Sequence, residues 1–271
     1  MKKYLADWTV KENIPLRPNY CLIKLSPDGE IPEMMPGQFV QIKIDNSPST
    51  FLRRPISIHF VDRRENEIWL LVQLLGEGTR QLAQIKPGDQ LNLLYPLGNG
   101  FSLPENKNAL GFSVAKSPEN KPERLLIGGG VGIAPLLFLG FELSLSGCKP
   151  TFLLGAKRKD DLLQMAEFEK YGKVFTTTED GSYGEKGFVT QHSILKSTRY
   201  DFIYTCGPKP MMQAVAEYAY KNAIPCEVSL ENTMACGIGA CLCCVEKTKK
   251  GNICVCTEGP VFNSNQLTWL I

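Results

Sequence analysis

The sequence contains very little histidine: its 271 residues include only two, His59 and His192. Zinc sites built on histidine, and mechanisms that use paired histidine bases, are therefore disfavoured from the start. The charge is also nearly balanced, because 30 Lys and Arg residues stand against 28 Asp and Glu residues and leave a net charge of +2. A chain of this charge has no basic excess with which to bind nucleic acid or an anionic membrane.

The sequence also lacks a long uninterrupted apolar stretch. The longest one, residues 125–139, is broken by five glycines or prolines and is too short to cross a bilayer. The N-terminal residues soon meet charges at Asp7, Lys11 and Glu12, without the apolar core of a signal peptide. We therefore expect a soluble, cytoplasmic protein in a reducing compartment, with two or three modules for its length.

Cysteine is abundant instead, with ten residues, six of which lie between residues 236 and 256. A disulfide framework would be more scattered, so this clustering favours a local metal or iron–sulfur site. The C-x4-C-x2-C spacing of Cys236, Cys241 and Cys244 is typical of plant-type 2Fe-2S ligation. A structural zinc site is the alternative, although such sites more often use C-x2-C pairs on both sides. Cys243 and Cys254 are surplus, so the spacing leaves open which thiolates ligate.

The hydrophobic pattern divides the rest of the chain into two kinds of structure. Residues 4–101 show short alternating or apolar runs separated by turn residues, which predicts an antiparallel barrel. From residue 125 onward strands alternate with helices, including a predicted helix over residues 160–171, and this order predicts a parallel sheet. The sequence thus predicts a multidomain β plus α/β protein, with a small cysteine-rich segment at its end that needs a metal staple.

Two motifs in the first region could bind phosphate. In a regular strand Arg53 and Ser57 share a face, whereas Arg54 and Ser57 converge on a pyrophosphate only if Pro55 breaks the alternation. An exposed arginine pair on a strand is the simpler alternative. The second motif, residues 76–79, is a Gly-Glu-Gly-Thr turn before a helix, where backbone N–H groups could meet a phosphate. A plain capping turn by Thr79 would look the same.

A glycine-rich stretch at residues 128–132 follows a predicted strand and opens an apolar helix. In this context glycines allow a tight turn and close approach of a phosphate, which favours nucleotide binding over a structural turn. The spacing departs from the usual GxGxxG pattern. The turn at Cys206, Gly207 and Pro208 ends another strand, at the edge where open parallel sheets bind ligands; a buried cysteine in a structural turn fits equally well.

Acidic residues after the predicted strand 173–178 indicate which nicotinamide cofactor is used. The carboxylates of Glu179 and Asp180 suit ribose hydroxyls and would repel a 2′-phosphate, which favours NAD over NADP. Lys157 and Arg158 follow the preceding strand and argue the other way.

In this order, the motifs together resemble one family. They are Arg54-Pro-Ile-Ser57, Gly76-Glu-Gly-Thr79, GGGVGIAPL, CGPKPM and C-x4-C-x2-C-x11-C followed by EGPVF. Over nearly its whole length the chain resembles the electron-transfer subunits of dihydroorotate dehydrogenase B, within the ferredoxin reductase superfamily. The resemblance implies an FAD-binding β-barrel at residues 1–103, a connecting insertion at 104–122, an NAD-binding α/β domain at 123–225 and a 2Fe-2S domain at 226–271.

The resemblance also implies roles for single residues. The implied FAD contacts are Arg54, Pro55, Ile56 and Ser57 at the pyrophosphate, Leu71, Val72 and Gln73 along the isoalloxazine, and Gly78 and Thr79 at the remaining phosphate. The NAD contacts are expected at Gly129, Gly130, Gly132, Asp180, Cys206, Gly207 and Pro208. The implied cluster ligands are Cys236, Cys241, Cys244 and Cys256.

The function implied by the resemblance is electron transfer in pyrimidine biosynthesis. Electrons from dihydroorotate oxidation, on FMN in a separate catalytic subunit, would pass through the cluster and FAD to NAD, with two copies of each chain in the complex. Such a subunit needs no acid or base of its own. The loop at residues 234–242 would meet the partner, although a merely buried loop would have the same composition.

Two other functions stay open from the sequence. A related flavin and iron–sulfur subunit, of an NADH-dependent ferredoxin:NADP oxidoreductase or of a sulfhydrogenase, shares much of this layout. A non-catalytic redox-sensing or zinc-stabilised regulator is an alternative of another class.

Overall fold

The computed structural model describes residues 2–45, 47, 49–104 and 122–270. The chain divides into two compact units. The first unit comprises residues 1–100, 231–246 and 252–260, and the second comprises residues 101–230, 247–251 and 261–271. Apart from its two end residues, the predicted insertion at 104–122 lies outside the described residues.

The first unit is built on a closed antiparallel barrel. Its strands are β1 (Tyr4–Arg17), β2 (Tyr20–Pro27), β3 (Phe39–Ile42), β4 (Arg54–Asp62), β5 (Glu67–Gln73) and β6 (Gln90–Leu97). They close in the order β1-β2-β5-β4-β3-β6, and the helix α1 (Glu77–Leu82) lies between β5 and β6 in the chain. Closure leaves no free sheet edge, which is how small all-β units avoid edge-to-edge association.

The barrel interior is filled by large apolar side chains. Trp8 and Ile23 are fully buried, and the Trp8 ring meets Tyr95 edge-to-face at 4.9 Å between ring centroids. Burial alternates along β6, as the period of two predicts for a strand with one face in a core. The barrel predicted from the sequence is confirmed.

The second unit is built on a seven-stranded sheet. Its strands are β7 (Arg124–Gly129), β8 (Thr151–Ala156), β9 (Lys173–Thr178), β10 (Glu185–Lys186), β11 (Phe202–Cys206), β12 (Cys226–Ser229) and β15 (Val261–Asn263). The helices are α2 (Ala134–Leu145), α3 (Met165–Glu169), α4 (Ile194–Ser197) and α5 (Lys209–Lys221). The sheet order is β10-β9-β8-β7-β11-β12-β15, and only β15 is antiparallel to its neighbour.

The strand order reverses direction at β7, since β8 lies on one side of it and β11 on the other. Every residue of β7 and β11 is buried, as expected for central parallel strands. Ligands of open parallel sheets bind at such a switch point, beyond the carboxyl ends of the strands. The predicted parallel sheet is thus confirmed, and its switch point falls between the two glycine-containing turns.

The cysteine-rich segment contributes a two-stranded sheet of β13 (Val245–Thr248) and β14 (Gly251–Cys254), followed by the one-turn helix α6 (Val255–Glu258). Residues 231–246 and 252–260 belong to the barrel unit. The strands β12 and β15 belong to the parallel sheet, so that sheet extends past residue 225. The four domain boundaries stay a prediction of the sequence.

The helix predicted over residues 160–171 is shorter than expected. A 3-10 turn covers Lys159–Asp161, and α3 begins only at Met165. The reason is Gln164, whose φ of 56° is left-handed and interrupts a right-handed helix. No helix in the described part of the chain has the length and apolar character needed to cross a membrane.

Candidate functional site

Four cysteines of the C-terminal segment form two thiol pairs. The Cys241 thiol lies within hydrogen-bonding reach of Cys236, and the Cys256 thiol lies within reach of Cys244. Cys241 is exposed and Cys236 is half-buried, whereas Cys244 and Cys256 are buried. The segment therefore presents an outer pair and an inner pair of thiols, and the half-buried Cys254 thiol also lies within reach of Cys244.

Backbone amides of the loop point at these sulfurs. The Ile238 N–H donates to Cys236 Sγ at 3.4 Å, the Gly239 N–H to Cys256 Sγ at 3.2 Å, and the Cys256 N–H to Cys244 Sγ at 3.4 Å. Gly239 adopts a φ of 82°, a conformation that glycine reaches without steric cost. This glycine lets the loop fold back so that its amides meet thiolate acceptors.

The local environments shift the pKa values of Cys236 and Cys256 in opposite directions. Burial raises the pKa of the Cys236 thiol, but hydrogen bonds from the amides of Ile238, Cys241 and Ala240 outweigh it and bring the pKa from 9.0 to about 6. Burial, together with the adjacent Cys244 thiol, raises the pKa of Cys256 to about 12. The loop thus already stabilises a thiolate at Cys236, which is the form that binds metal.

The thiols fit a two-iron cluster better than a single metal ion. Structural zinc requires four ligands around one point. In the part of the chain that the structure describes, no three His, Cys, Asp or Glu side chains converge on one ion position. Two pairs of thiols, with amides directed at the sulfurs, are what a 2Fe-2S cluster needs, because each iron takes two protein thiolates and the sulfurs accept hydrogen bonds.

The barrel supports the cysteine loop at Gln41 of β3, which is completely buried. With its amide oriented to satisfy both partners, Gln41 Nε2 donates to the Ala235 carbonyl at 3.1 Å and Oε1 accepts from the Gly237 N–H at 3.3 Å. Asn99, after β6, donates through Nδ2 to the Glu258 carbonyl at 2.8 Å. Both ends of the cysteine segment are therefore anchored to the same rigid barrel.

A second cradle lies on the barrel at the start of β4. Arg54 Nε is buried and has no hydrogen-bond partner among the described residues. A Cβ on Gly78 would lie 3.0 Å from Arg54 Nε and 3.0 Å from Thr50 Cγ2. Since a buried guanidinium nitrogen without a partner is costly, this position fits an anionic ligand such as a pyrophosphate.

The neighbouring Arg53 has a structural role instead. Its guanidinium donates to the carbonyl of Asn92 at 2.9 Å and to the carbonyl of Gln41 at 3.3 Å, and so ties β4 to β6 and β3. The sequence left both arginines open as phosphate contacts. The geometry leaves Arg54 as the candidate.

The other predicted flavin contacts are only partly brought together. Pairing with β3 has no register shift between Arg54 and Ser57, so Pro55 does not break the alternation and the two side chains point to opposite faces. The Thr79 hydroxyl is used by the turn, since it donates to the Gly76 carbonyl and accepts from the N–H groups of Leu75 and Gly76. The strand therefore does not bring Arg54 and Ser57 together on one face. The roles of Ser57 and Thr79 in binding FAD stay predictions.

Leu71, Val72 and Gln73 form the end of β5. The first two are buried, and Gln73 Nε2 donates to the Tyr20 hydroxyl at 3.0 Å. Of this predicted trio only Gln73 is partly accessible to a ligand, while Pro55 and Ile56 are half-buried on β4. Contacts of these residues with the isoalloxazine remain predictions.

In the second unit, the two glycine-containing turns meet at the switch point. Gly128 of β7 pairs with Cys206 of β11, so the turns that follow them are neighbours. The Gly132 backbone packs directly against Gly207, and there is no room for a Cβ between them. Gly130 has a φ of 57° and open space around it, while Gly129 packs against Met211 and Pro208. At this edge of the sheet the glycines have no side chains of their own to cover the backbone. A pyrophosphate binds to such a surface because it can approach the backbone N–H groups closely.

The acidic residues expected at the ribose follow β9. Asp180 accepts hydrogen bonds from the Ser182 hydroxyl at 2.6 Å and its N–H at 2.9 Å. These bonds hold the Asp180 pKa below its usual value, so the carboxylate is charged at neutral pH. Cys206 itself is buried, so only the backbone of its turn is available to a ligand.

Sequence reasoning missed two residues of these sites. Thr50 forms one wall of the Arg54 cradle, and Gln41 supports the cysteine loop. Gln41 sits in a run of apolar residues, and a buried glutamine in such a strand was the available signal.

Comparison with known proteins places the chain in a family. The model of the iron-sulfur cluster binding domain of dihydroorotate dehydrogenase B matches residues 231–268, and that of the oxidoreductase NAD-binding domain matches residues 126–217. The dihydroorotate dehydrogenase B (NAD(+)) electron transfer subunit of Fusobacterium nucleatum subsp. nucleatum is 37% identical over 266 residues, which is 95% of this chain and 96% of the relative. The chain belongs to this family of electron transfer subunits.

Another relative in this family, from Caldanaerobacter subterraneus subsp. tengcongensis, is 42% identical over 231 residues, 84% of each chain. A solved structure of an NADH-dependent reduced ferredoxin-NADP oxidoreductase is 28% identical, has a TM-score of 0.83 and covers 97% of this chain and 90% of its own. The flavohem-like FAD/NAD binding domain of a Vibrio cholerae nitric oxide dioxygenase, at 18% identity and a TM-score of 0.64, covers 82% of this chain and 97% of its own, and shares the fold. The family and fold implied by the sequence motifs are confirmed.

Proposed function

We propose that this chain is the electron transfer subunit of an NAD-linked dihydroorotate dehydrogenase, carrying electrons from dihydroorotate oxidation in a partner subunit to NAD in pyrimidine biosynthesis. Relatives at 35–42% identity over most of the chain bear this name. The observation that carries the proposal is the arrangement of four thiols in two pairs, Cys236 with Cys241 and Cys244 with Cys256. All four lie within the residues that match the iron-sulfur cluster binding domain.

Three bound groups belong to this function: a 2Fe-2S cluster, FAD and NAD. A flavin exchanges electrons singly or in pairs, a 2Fe-2S cluster carries one at a time, and nicotinamide takes a hydride. The four paired cysteines would hold the cluster. Arg54 with the Gly78 turn would hold the FAD pyrophosphate, and the turns at Gly129–Gly132 and Cys206–Pro208 would hold NAD.

The chain's own residues position these groups and need not move protons. Arg54 supplies a fixed positive charge, and the missing side chain of Gly78 lets the guanidinium lie directly against the backbone of the turn. The loop amides at Ile238 and Gly239 stabilise negative charge on the cysteine sulfurs. The substrate pyrimidine would bind in the partner, so the chemistry here is recognition and electrostatics.

The partner would dock on the cysteine loop. Three apolar side chains of the cysteine segment, Ile238, Leu242 and Val245, are exposed, with Leu242 at 63%. Apolar side chains exposed beside a redox group suit a dry contact with another protein. We propose an FMN-containing catalytic subunit as this partner, with two copies of each chain.

The test is to co-express the chain with a candidate FMN subunit and to follow dihydroorotate-dependent NAD reduction. We expect the complex to co-purify and to reduce NAD, while the FMN subunit alone does not. Equal NAD reduction by the FMN subunit alone, or two chains that separate on size exclusion, would show that the proposal is wrong.

A second function deserves the same experiment because of the solved NADH-dependent reduced ferredoxin-NADP oxidoreductase, which this chain matches over 97% of its length. Reduced ferredoxin and NADP would then be the substrates of the complex. Co-purification with a ferredoxin:NADP-reducing subunit, without dihydroorotate oxidation, would favour that function. A colourless protein without NADH:dye turnover would instead indicate a regulator.

A further inference from the structure

Cys254 is not one of the four cysteines assigned as cluster ligands, yet it lies among them. It ends β14, and Cys256 sits one residue into the helix α6 that follows. Residues two apart in a strand share a face, but here the chain turns from extended backbone at Cys254, with φ −88° and ψ 112°, into a helix. Both sulfurs nevertheless lie at the same loop residue, Gly239.

Cys254 and Cys256 share the same two neighbours. The Gly239 N–H donates to Cys256 Sγ at 3.2 Å, and the Gly239 carbonyl faces Cys254 Sγ at 4.0 Å. Both thiols also lie within hydrogen-bonding reach of the Cys244 thiol. The sulfurs of Cys254 and Cys256 therefore have two neighbours in common, the backbone of Gly239 and the Cys244 thiol.

Cys243 provides the contrast. It is exposed, and no described contact joins its thiol to the loop sulfurs, whereas Cys254 is half-buried among them. The two surplus cysteines are therefore not equivalent. The Cys243 thiol faces solvent, whereas the Cys254 thiol faces the other cysteines of the site.

We propose that Cys254 is a reserve ligand of the cluster, able to take the place of Cys256 beside Cys244. The proposal rests on the 2Fe-2S cluster of the proposed function. Ligation by Cys254 forms one Fe–S bond and releases the Cys254 thiol proton to solvent, in place of the bond and the proton that Cys256 would contribute. No electron is gained or lost in this exchange.

The test compares Cys256→Ala with two double variants, Cys254→Ala/Cys256→Ala and Cys243→Ala/Cys256→Ala. Alanine is chosen because it offers no oxygen ligand. Iron and sulfide content, together with the electron paramagnetic resonance spectrum after dithionite reduction, report the cluster without any activity assay. We expect Cys256→Ala to keep a 2Fe-2S cluster with altered g-values, the Cys243 double variant to behave in the same way, and the Cys254 double variant to lose the cluster.

Alkylation gives a second readout that does not depend on yield. With iodoacetamide and peptide mapping, we expect Cys254 to be modified in the native chain and protected in the iron-containing fraction of Cys256→Ala. Should the alanine variant fail to fold, Cys256→Val, which is close to cysteine in size and also offers no oxygen ligand, carries the same measurement. A cluster with a still reactive Cys254 would overturn the proposal.

Other outcomes distinguish a failure of the Cys254 proposal from a failure of the proposed electron-transfer function. A native chain without iron would overturn the proposed function. A native chain with a cluster, combined with equal cluster loss in Cys256→Ala and in the Cys254 double variant, would overturn only the reserve ligand. Loss caused by the Cys243 double variant, with Cys254 intact, would also overturn it.

Discussion

At the scale of single residues, the cysteine pairs give the sharpest expectation. Cys236→Ala, Cys241→Ala and Cys244→Ala should each abolish the 2Fe-2S cluster, because each removes a thiolate from a pair, whereas the exposed Cys243→Ala should leave it in place. Metal analysis of the native chain should find two irons and no stoichiometric zinc, and the visible spectrum of the released flavin should give one FAD. Four-thiolate zinc in that analysis, or a normal cluster in Cys241→Ala, would contradict the assignment.

The adjacent arginines form a matched pair for the flavin site. Arg54→Gln should weaken FAD binding roughly 10- to 100-fold, because a charge-assisted hydrogen bond is worth about 1.5–3 kcal/mol. Arg53→Gln should instead lower the free energy of unfolding by about 1 kcal/mol, since Arg53 ties β4 to the Asn92 and Gln41 carbonyls. FAD titration and urea unfolding separate the two effects. A greater loss of FAD affinity in Arg53→Gln than in Arg54→Gln would reverse this assignment.

Asp180 bears on the choice between NADH and NADPH. Hydrogen bonds from Ser182 hold the Asp180 pKa low, so its carboxylate carries a full negative charge. If Asp180 contacts the ribose as we propose, this charge would repel a 2′-phosphate. In a dye-reduction assay kcat/KM should favour NADH over NADPH by roughly tenfold or more, and Asp180→Ser should narrow that ratio. Equal or better kcat/KM with NADPH in the native chain would mean that Lys157 and Arg158 decide the preference instead.

At the scale of elements, the hydrophobic periodicity of the sequence predicted the strands and the long helices. It did not predict features that depend on the backbone conformation of a single residue. The strands of the barrel and the apolar helix α2 follow from alternation and from an apolar run after glycines. The late start of α3 depends on the left-handed backbone of Gln164, a residue with no strong preference for that region. Which arginine keeps a buried nitrogen without a partner depended on hydrogen bonds to distant strands, and which cysteines lie together depended on loop geometry. The spacing of residues in the sequence contains neither.

The packing of two turns at the sheet edge yields a prediction for NAD. Gly132→Val should weaken NAD binding roughly tenfold or more, because the Gly207 backbone occupies the place of any side chain. The matched control is Gly29→Val in the barrel unit, where a Cβ would meet nothing within 4 Å and the backbone is not left-handed. NADH titration should show the contrast, with cluster and flavin spectra unchanged in both. Normal NADH affinity in Gly132→Val would place the cofactor elsewhere.

At the scale of the whole molecule, function depends on how tightly each group is held and on what meets the cysteine loop. Residues 231–246 and 252–260 share a compact unit with the barrel, and Gln41 joins β3 directly to the loop. The cluster loop is therefore carried by the rigid flavin barrel. An outside electron donor can reach the outer thiol pair because Cys241 is exposed.

The docking of the partner is tested at Leu242, which is exposed and has a φ of 57°. Leu242→Asn removes the apolar contact while keeping a residue suited to that left-handed backbone, so the loop itself should not be strained. Because burying a leucine side chain is worth about 1.5–3 kcal/mol, affinity for the FMN subunit should fall roughly 10- to 100-fold. The control is Leu145→Asn, at the equally exposed end of α2. Size exclusion and dihydroorotate-dependent NAD reduction should fail only for Leu242→Asn, while its NADH:dye turnover and iron content stay normal; unchanged association would mean that the partner binds another face.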